Sequence, residues 1–433
     1  MSKLLTPPTL ARARVRISRG FWAVADQGLF SGANFVVNVL LARWLSPAEY
    51  GAFALALSIF YLLAGFHSAV LTEPMMVFGA GRYREHFREY LGMLLYGHWG
   101  ISAIVALALG IAAFVFARYG SPAIASGLAG LAVASPFLLF IWLVRRACYV
   151  PMQLVWAMMG SGVNLVVTLV GLFLLWRFGS LSPLSGLMLL GAAAGIASFT
   201  LMVMRLRPRV WGFADNPTPA MVIRDHWGYG SWNLVGMLAY WSSGQILMVL
   251  IPAFLGLTAS AAVAAVWNLY RPVGLFMNSL GLVLLPLFSR WVSQGMGGRE
   301  LCRRAMRFAL LFGGAVAFYG LLMTVVAKHL LHLLYAGKYD EHWLLVGMLG
   351  VSTAVSVATG VFLLVLKALG RTNAVFEVWG VSALLVFLSS IPLMGVAGLE
   401  GAILSAMTAY SVAGWMAYAR LNKAAETTIK EPR

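Results

Sequence analysis

Apolar residues run along this chain in long, near-continuous stretches rather than alternating along it. Twelve are long enough to cross a bilayer, at 21–42, 51–72, 91–117, 122–144, 151–176, 183–204, 233–254, 258–288, 306–334, 342–366, 374–394 and 398–419. A span needs about 20 apolar residues to cross about 30 Å of hydrocarbon, and only helices or closed barrels satisfy their backbone there. Continuous runs predict helices. The predicted fold class is therefore all-α integral membrane, with about twelve transmembrane helices. The longest polar interval is 205–232, RLRPRVWGFADNPTPAMVIRDHWGYGSW, with Arg205, Arg207, Arg209, Arg224 and three prolines. Six stretches lie on each side of it. The predicted organisation is a basic tail over 1–20, a six-helix lobe over 21–204, a cytoplasmic connector over 205–232, a second lobe over 233–419 and a tail over 420–433.

Composition agrees with a lipid solvent. Of the 433 residues, 61% are hydrophobic and 10% charged, against roughly 25% charged in soluble domains. A net charge of +17 raises nucleic acid as a partner, but basic residues in a membrane protein mark the cytoplasmic loops, and no nucleic-acid role is expected. With the N-terminus inside, Arg43, Arg118, Arg177, Lys328 and Lys338 fall on the outer side, Arg271 falls inside a span, and the rest of the 31 Lys and Arg fall inside. A miscounted helix would invert the sides downstream, so this bias supports twelve spans and both termini in the cytoplasm. The apolar run after Arg12, Arg14, Arg16 and Arg19 is too long and polar for a cleaved leader and reads as a retained first helix. Cys148 and Cys302 are the only cysteines, and no disulfide framework is expected.

The halves resemble each other. A slide of 211 residues places Ser31 on Ser242, Asn34 on Gln245 and Ala42 on Ala253, and one near 222 brings Arg145–Arg146 opposite Lys367. Both halves start inside, so the repeat is parallel.

Polar residues within spans are costly and mark function or helix contacts. Gln27, Ser31, Asn34 and Asn38 share one face of the first helix. Helix two offers Tyr50, Ser58, Tyr61, Ser68 and Thr72, and helix eight offers Asn268, Arg271 and Asn278 with Tyr270 beside them. Such stripes line a water-filled cavity or join helices. Arg271 lies roughly 20 Å along helix eight at 1.5 Å per residue, and Pro272 after it frees a carbonyl and permits a kink. A buried Arg there pairs with a carboxylate such as Asp26, caps the freed carbonyl or meets an anionic ligand, for which its planar fork suits phosphate. Asp26, His67, Glu73 and His98 fall at similar depth in the cytoplasmic third of the first three helices and are candidates for proton coupling. Against that, each sits near the headgroups, and Pro74 is expected to end the helix beside Glu73. Glu377 and Glu400 read as interfacial. Gly28/Gly32 and Gly191/Gly195 have a helix-packing spacing. No Walker loop, no HExxH and no Cys/His metal spacing occurs, so no metal and no cofactor is expected, and the short loops leave no room for a catalytic domain.

Twelve helices in two halves, a basic connector and polar first and seventh helices resemble the multidrug/oligosaccharidyl-lipid/polysaccharide exporter superfamily, and within it the polysaccharide-repeat (Wzx-like) flippases. Leu41–Gly51, LARWLSPAEYG, resembles the family's first outer loop. Leu333–Tyr339, LLYAGKY, resembles the loop after helix nine, and Gly398–Ala402, GLEGA, the opening of the last helix. The resemblance implies alternating access around a central cavity. It implies an undecaprenyl-diphosphate-linked oligosaccharide moved from the inner to the outer leaflet of the bacterial cytoplasmic (inner) membrane, for surface polysaccharide such as O-antigen, capsule or exopolysaccharide. On that reading Arg271 contacts the diphosphate. Gln27, Ser31, Asn34, Asn38, Tyr61, Asn268, Tyr270 and Asn278 contact sugar, and Asp26, His67 and His98 serve coupling. Expected partners are the lipid-linked oligosaccharide, membrane lipids, and a polysaccharide polymerase and glycosyltransferases. A multidrug exporter of the same superfamily is the first alternative and would want a deep carboxylate, for which Asp26 is the candidate. A membrane polymerase or ligase is the second, and would want a large outer loop.

Overall fold

The structure, a computed structural model, describes residues 7–212 and 217–430; the side chains of residues 7–20, 23, 275, 278, 279, 282 and 425–430 lie outside what is described. Among the described residues there is no strand. The helices are α1 (Pro7–Trp44), α2 (Pro47–His67), α3 (Glu73–Ala80), α4 (Phe87–Tyr119), α5 (Pro122–Tyr149), α6 (Leu154–Arg177), α7 (Pro183–Leu201), α8 (Pro219–Gly244), α9 (Leu247–Leu255), α10 (Leu257–Asn268), α11 (Arg271–Ser293), α12 (Gly298–Tyr335), α13 (Trp343–Ala368) and α14 (Thr372–Lys430).

Nine of the described helical runs are long and apolar enough to cross a membrane, and the pair α8–α9, bent by 41°, makes a tenth. Two breaks account for the rest of the predicted spans. Ala397 and Gly398 leave helical geometry inside α14, which divides it between the predicted eleventh and twelfth stretches. The predicted eighth helix is interrupted between α10 and α11. All twelve predicted stretches fall on helices, and the chain is an all-α multi-pass membrane protein.

Four local expectations are corrected. Pro74 does not end the second span. A π-helical turn, Ser68–Thr72, adds slack before it, and Pro74 sits in the first turn of α3, where the helical run passes through it. The predicted connector is half helix. Thr218 Oγ1 accepts from the Met221 amide at 3.3 Å, and Pro219 opens α8, where its missing N–H is no loss. Arg145 and Arg146 are not in a loop, because α5 continues to Tyr149. Helix eight is not continuous, for reasons given with the site.

The chain divides into two compact units. The first comprises residues 1–37 and 59–235, and the second residues 38–58 and 236–433. Each unit thus takes a piece from the other half of the sequence, and polar bonds inside each unit explain why. In the first unit the start of α8 is bonded to the end of the second span. Asp225 Oδ2 accepts from Arg82 at 2.8 Å and from the Tyr83 hydroxyl at 2.6 Å. Burial, then this bond, pushes the Tyr83 phenol up to about 12. The π turn leaves carbonyls without their usual donors, and His226 Nδ1 lies 2.8 Å from one of them, Val70 O, with Tyr90 Oη 2.6 Å from its Nε2. That network fixes Nδ1–H as the donor and Nε2 as the acceptor. Gly191 and Gly195 pack against Ala134 and Phe137 of α5, whereas Gly28 and Gly32 face open space. The small-residue spacing is therefore a packing device only in α7.

The second unit is held by the motifs that resemble the flippases. Arg43 donates to Leu333 O at 2.9 Å. Lys338 Nζ donates to Arg43 O at 2.7 Å and to Leu45 O at 2.6 Å, closing the end of α1. Burial holds the Lys338 ammonium below the ordinary lysine range, partly offset by Glu49. Tyr50, Tyr335 and Tyr339 are fully buried together, with ring centroids 6.5 Å (Tyr50–Tyr339) and 5.5 Å (Tyr335–Tyr339) apart. A Cβ on Gly51 would stand 1.9 Å from Leu257 O at the start of α10. Backbone cannot yield there as a side chain would. Gly51→Ala is expected to cost about 3 kcal/mol, the upper end of overpacking penalties, read as a fall in thermal midpoint of the purified protein; an unchanged midpoint would contradict the packing. Gly398, at φ +55°, turns the chain inside α14, and Gly401 admits the Leu393 carbonyl 2.0 Å from where a Cβ would lie.

The central helix of each unit is the fourth of its half. Pro122–Tyr149 and Asp340–Ala368 are the most buried of the unbroken spans. The matching position supports the internal repeat.

Candidate functional site

In the first unit, α5 and α6 bring three side chains onto Asp26 of α1, which is fully buried. Arg145 donates to it through Nε at 3.2 Å and Nη2 at 2.8 Å, a two-point pair, and the Tyr149 hydroxyl donates at 2.6 Å. Ser161 Oγ donates to Oδ1, the oxygen that Arg145 Nε also reaches. The Arg145 guanidinium lies 3.8 Å from the centroid of the Phe30 ring. Both lone-pair sets of the carboxylate and the planar fork of the guanidinium are thus used inside the protein. Asp26 has its cation in Arg145, within its own unit, and not in Arg271.

One residue further along α5, Arg146 reaches the π turn. Its Nη1 donates to Ser68 Oγ at 2.7 Å and to Thr72 Oγ1 at 2.9 Å. Ser68 Oγ lies 3.5 Å from Glu73 Oε1, and Asn233 Nδ2 donates to Glu73 Oε2 at 3.0 Å. Glu73 is therefore part of a chain of polar groups running to α8, not merely solvated. His67 and His98 are buried, with His67 Nε2 3.0 Å from His98 Nδ1. Only one of the two facing nitrogens carries the proton between them. The His98 ring stacks on Phe140, 5.2 Å between centroids. Sequence reading missed Arg145, Arg146, Tyr149 and Ser161. The two arginines carried a signal, an Arg–Arg pair at the end of a span, but basic residues at inner ends are so common that it read as a loop.

In the second unit the polar centre is the break in helix eight. Pro272 has no amide to donate, so the α-helical ladder fails ahead of it. Tyrosine hydroxyls take over the released carbonyls: Tyr335 donates to Ala265 O at 2.9 Å and Tyr319 to Leu269 O at 2.8 Å. Asn268, at the end of α10, donates to the Tyr50 hydroxyl at 3.0 Å. Tyr270 is buried and donates to Val346 O. Arg271 is half-buried and is the first residue of α11, near enough to the Tyr335 hydroxyl to act on it electrostatically. It thus stands at a helix N-terminus, where the helix dipole adds to its own charge in favouring an anion. Tyr335→Phe would leave the Ala265 carbonyl buried without its donor. A loss of about 1–3 kcal/mol is expected, measured as a lower thermal midpoint with Tyr319→Phe as a parallel test; no loss in either would remove the tyrosines from the support of the break.

The remaining candidates are spread over both units. Gln27 is exposed and donates to Ser31 Oγ at 3.2 Å. Ser31, Asn34 and Tyr61 are half-buried, and Asn38 is buried. Gln27, Ser31, Asn34 and Tyr61 belong to the first unit, and Asn38, Asn268 and Tyr270 to the second. The Asn278 side chain lies outside the described residues.

Two compact all-helical units, each carrying buried polar groups within membrane-spanning helices, make up a fold shared with solved MATE family transporters. The chain superposes on an inward-facing multidrug resistance MATE family transporter of the multidrug/oligosaccharidyl-lipid/polysaccharide exporter (MOP) superfamily with a TM-score of 0.74 at 12% identity, covering 94% of this chain and 96% of that one. It superposes on the Vibrio cholerae MATE transporter VcmN with a TM-score of 0.60 at 17% identity, over 95% and 96%, and on a MOP superfamily transporter from Pyrococcus furiosus with 0.64 at 10%, over 96% and 96%. In sequence it is 26% identical over 416 residues to the succinoglycan biosynthesis transport protein ExoT of Rhizobium meliloti (strain 1021), covering 92% of this chain and 78% of that protein. No family model matches the chain. The resemblance to polysaccharide flippases of the MOP superfamily is therefore supported by fold and by sequence.

Proposed function

We propose that this chain is a flippase. It moves undecaprenyl-diphosphate-linked oligosaccharide units from the inner to the outer leaflet of a bacterial inner membrane, with both termini in the cytoplasm. The observation that carries the reading is the distribution of charge within the spans. A drug exporter for cations needs a deep carboxylate able to meet its substrate, and Asp26 is neutralised by Arg145, Tyr149 and Ser161. Arg271, in contrast, heads a helix in a setting of amides and hydroxyls, which favours an anion carried with sugars. The likeness to a succinoglycan transport protein supports the same substrate class.

The work such a protein performs is to replace water around a sugar-diphosphate that cannot cross hydrocarbon unaided. Arg271 would hold the diphosphate as a bidentate fork. Gln27, Ser31, Asn34, Asn38, Tyr61 and Asn278 would offer hydrogen bonds to sugar hydroxyls, with Asn268 and Tyr270 fixing the helix break that presents Arg271. Loss of the protein in its host should accumulate the lipid-linked oligosaccharide at the inner leaflet. Unchanged sugar lipids together with altered dye efflux would overturn the reading in favour of the multidrug alternative.

The same reading assigns proton coupling to His67 and His98, with Asp26 as the fixed charge of the same unit. Transport into vesicles should slow when an uncoupler collapses the proton gradient. Full insensitivity would reject the coupling and leave the flippase reading standing.

A further inference from the structure

A cavity of about 720 Å³ lies in the first unit, where the start of α4 meets the segment that follows α7. Its walls carry Arg84, Arg88, Arg205, Arg207 and Arg209 against Glu85 and Glu89. Glu89 is already used, accepting from Arg209 at 2.9 Å, with His86 Nδ1 3.5 Å away. The Arg209 amide donates to Arg88 O at 2.9 Å, so the two walls are joined through backbone and side chain. Arg205 is bonded to Gln153 at 2.7 Å. Arg84 and Arg88 are exposed, and among the described residues no side chain answers their guanidinium groups. The walls are therefore fixed, while an excess of positive charge points into the cavity.

Two further observations point to a ligand. Of the three described non-glycine residues with left-handed backbone, Met152 at φ +59° and Arg207 at φ +45° both flank this cavity. Such conformations persist where surrounding structure enforces them, commonly at functional sites. The second unit builds the same feature at the corresponding place in the repeat. Arg299, Arg303 and Arg307, on one face of the start of α12, line a cavity of about 430 Å³ with Tyr418 and Asn422 from the end of the last span. Arg303 is paired with Glu300, and among the described residues no side chain answers the guanidinium groups of Arg299 and Arg307.

We propose that the arginine cavity between the start of α4 and the segment 205–209, and its counterpart in the second unit, each bind a phosphate-bearing anion, the headgroup of an anionic phospholipid. A cavity of several hundred Å³ has the size of a small-molecule site, and guanidinium groups match phosphate in a bidentate manner. Trp211, 78% exposed, accepts through its carbonyl from Arg209 of the cavity wall at 3.3 Å, and the Arg205 guanidinium lies 5.9 Å from the Trp156 ring centroid. Tryptophan collects at the level of lipid headgroups, which favours a lipid over a soluble phosphate. The assignment rests on the reading of this face as cytoplasmic, where anionic headgroups and basic pockets meet. It does not depend on which substrate is transported, and binding is measured without transport.

The test is native mass spectrometry of the full purified chain in neutral detergent, titrated with dihexanoyl phosphatidylglycerol, dihexanoyl phosphatidylcholine, inorganic pyrophosphate or polyglutamate. The wild type should retain two phosphatidylglycerol molecules and no phosphatidylcholine. Arg84→Gln with Arg88→Gln should weaken one of the two sites about thirtyfold, and Arg207→Gly about fivefold. Glycine suits the left-handed backbone, so the second variant should keep its thermal midpoint and separates lost binding from lost fold. Arg290→Gln with Arg371→Gln removes the same charge from exposed residues that line neither cavity and should shift binding less than about twofold, because exposed charges are screened. Pyrophosphate binding with the same loss in the arginine variants, in place of lipid, would keep the site and name a soluble phosphate as its occupant. Binding indifferent to Arg84, Arg88 and Arg207, an equal loss in the control pair, or uptake of polyglutamate alone would overturn the proposal.

Discussion

Asp26→Ala is expected to destabilise the first unit by about 3–5 kcal/mol, the cost of stranding a buried charge once its partner is removed. Arg145 is 8% exposed and would keep only the Phe30 ring as a favourable contact. The Tyr149 and Ser161 hydroxyls would lose their acceptor at the same time. The effect should appear as a marked fall in the thermal midpoint and in the amount of protein recovered from membranes. Removing both charges is a different matter. Asp26→Leu with Arg145→Met replaces the pair by apolar groups and should recover most of the loss, since buried pairs are often no more stable than well-packed hydrophobic substitutes. If the double variant were as unstable as Asp26→Ala, the pair would not be the reason for the loss. Transport by a stable double variant would further show whether Asp26 has a role beyond holding α1 against α5 and α6.

The second large effect is expected at Arg271. Arg271→Ala should abolish transport while leaving the protein level unchanged. A charged hydrogen bond contributes about 1.5–3 kcal/mol, and a bidentate contact to diphosphate places the loss of rate at roughly a hundredfold. Arg271→Lys keeps the charge without the planar fork and should retain part of the activity. The position is half-buried and begins a helix, so truncation leaves no packed core empty. Wild-type rates in both variants would remove the cation from the transport path. A lowered protein level in Arg271→Ala would instead point to a structural role beside Tyr335.

The helical architecture was legible because lipid leaves few choices. A chain with runs of this length and so little charge has to span as helices, and the basic bias kept the count of spans in phase. The motifs LARWLSPAEYG and LLYAGKY were visible as strings, but their reason was not. They hold one another, with Lys338 closing the carbonyls of Arg43 and Leu45 and Arg43 closing that of Leu333. The kink at Pro272 was foreseen, whereas the tyrosines that stabilise it come from α12 and are remote in sequence. Arg145 and Arg146 were misplaced because an inner-loop basic pair and a buried one look the same until the helix end is known. Asp26 and Arg145 are 119 residues apart, and nothing in one sequence pairs them. Glu73 was misread for a local reason: a π turn before Pro74 has no reliable pattern, so the proline looked like a terminator.

The central claim is that this chain carries a diphosphate-linked sugar across the bilayer. The most direct measurement uses the purified protein in liposomes that hold isotope-labelled undecaprenyl-diphosphate oligosaccharide, with a membrane-impermeant glycosidase added outside. The account predicts that the protected half of the label becomes cleavable at a rate set by the protein, that Arg271→Ala loses this rate, and that a neutral sugar lipid without diphosphate is not moved. Label that stays protected with wild-type protein, or a neutral sugar lipid moved equally well, would contradict it.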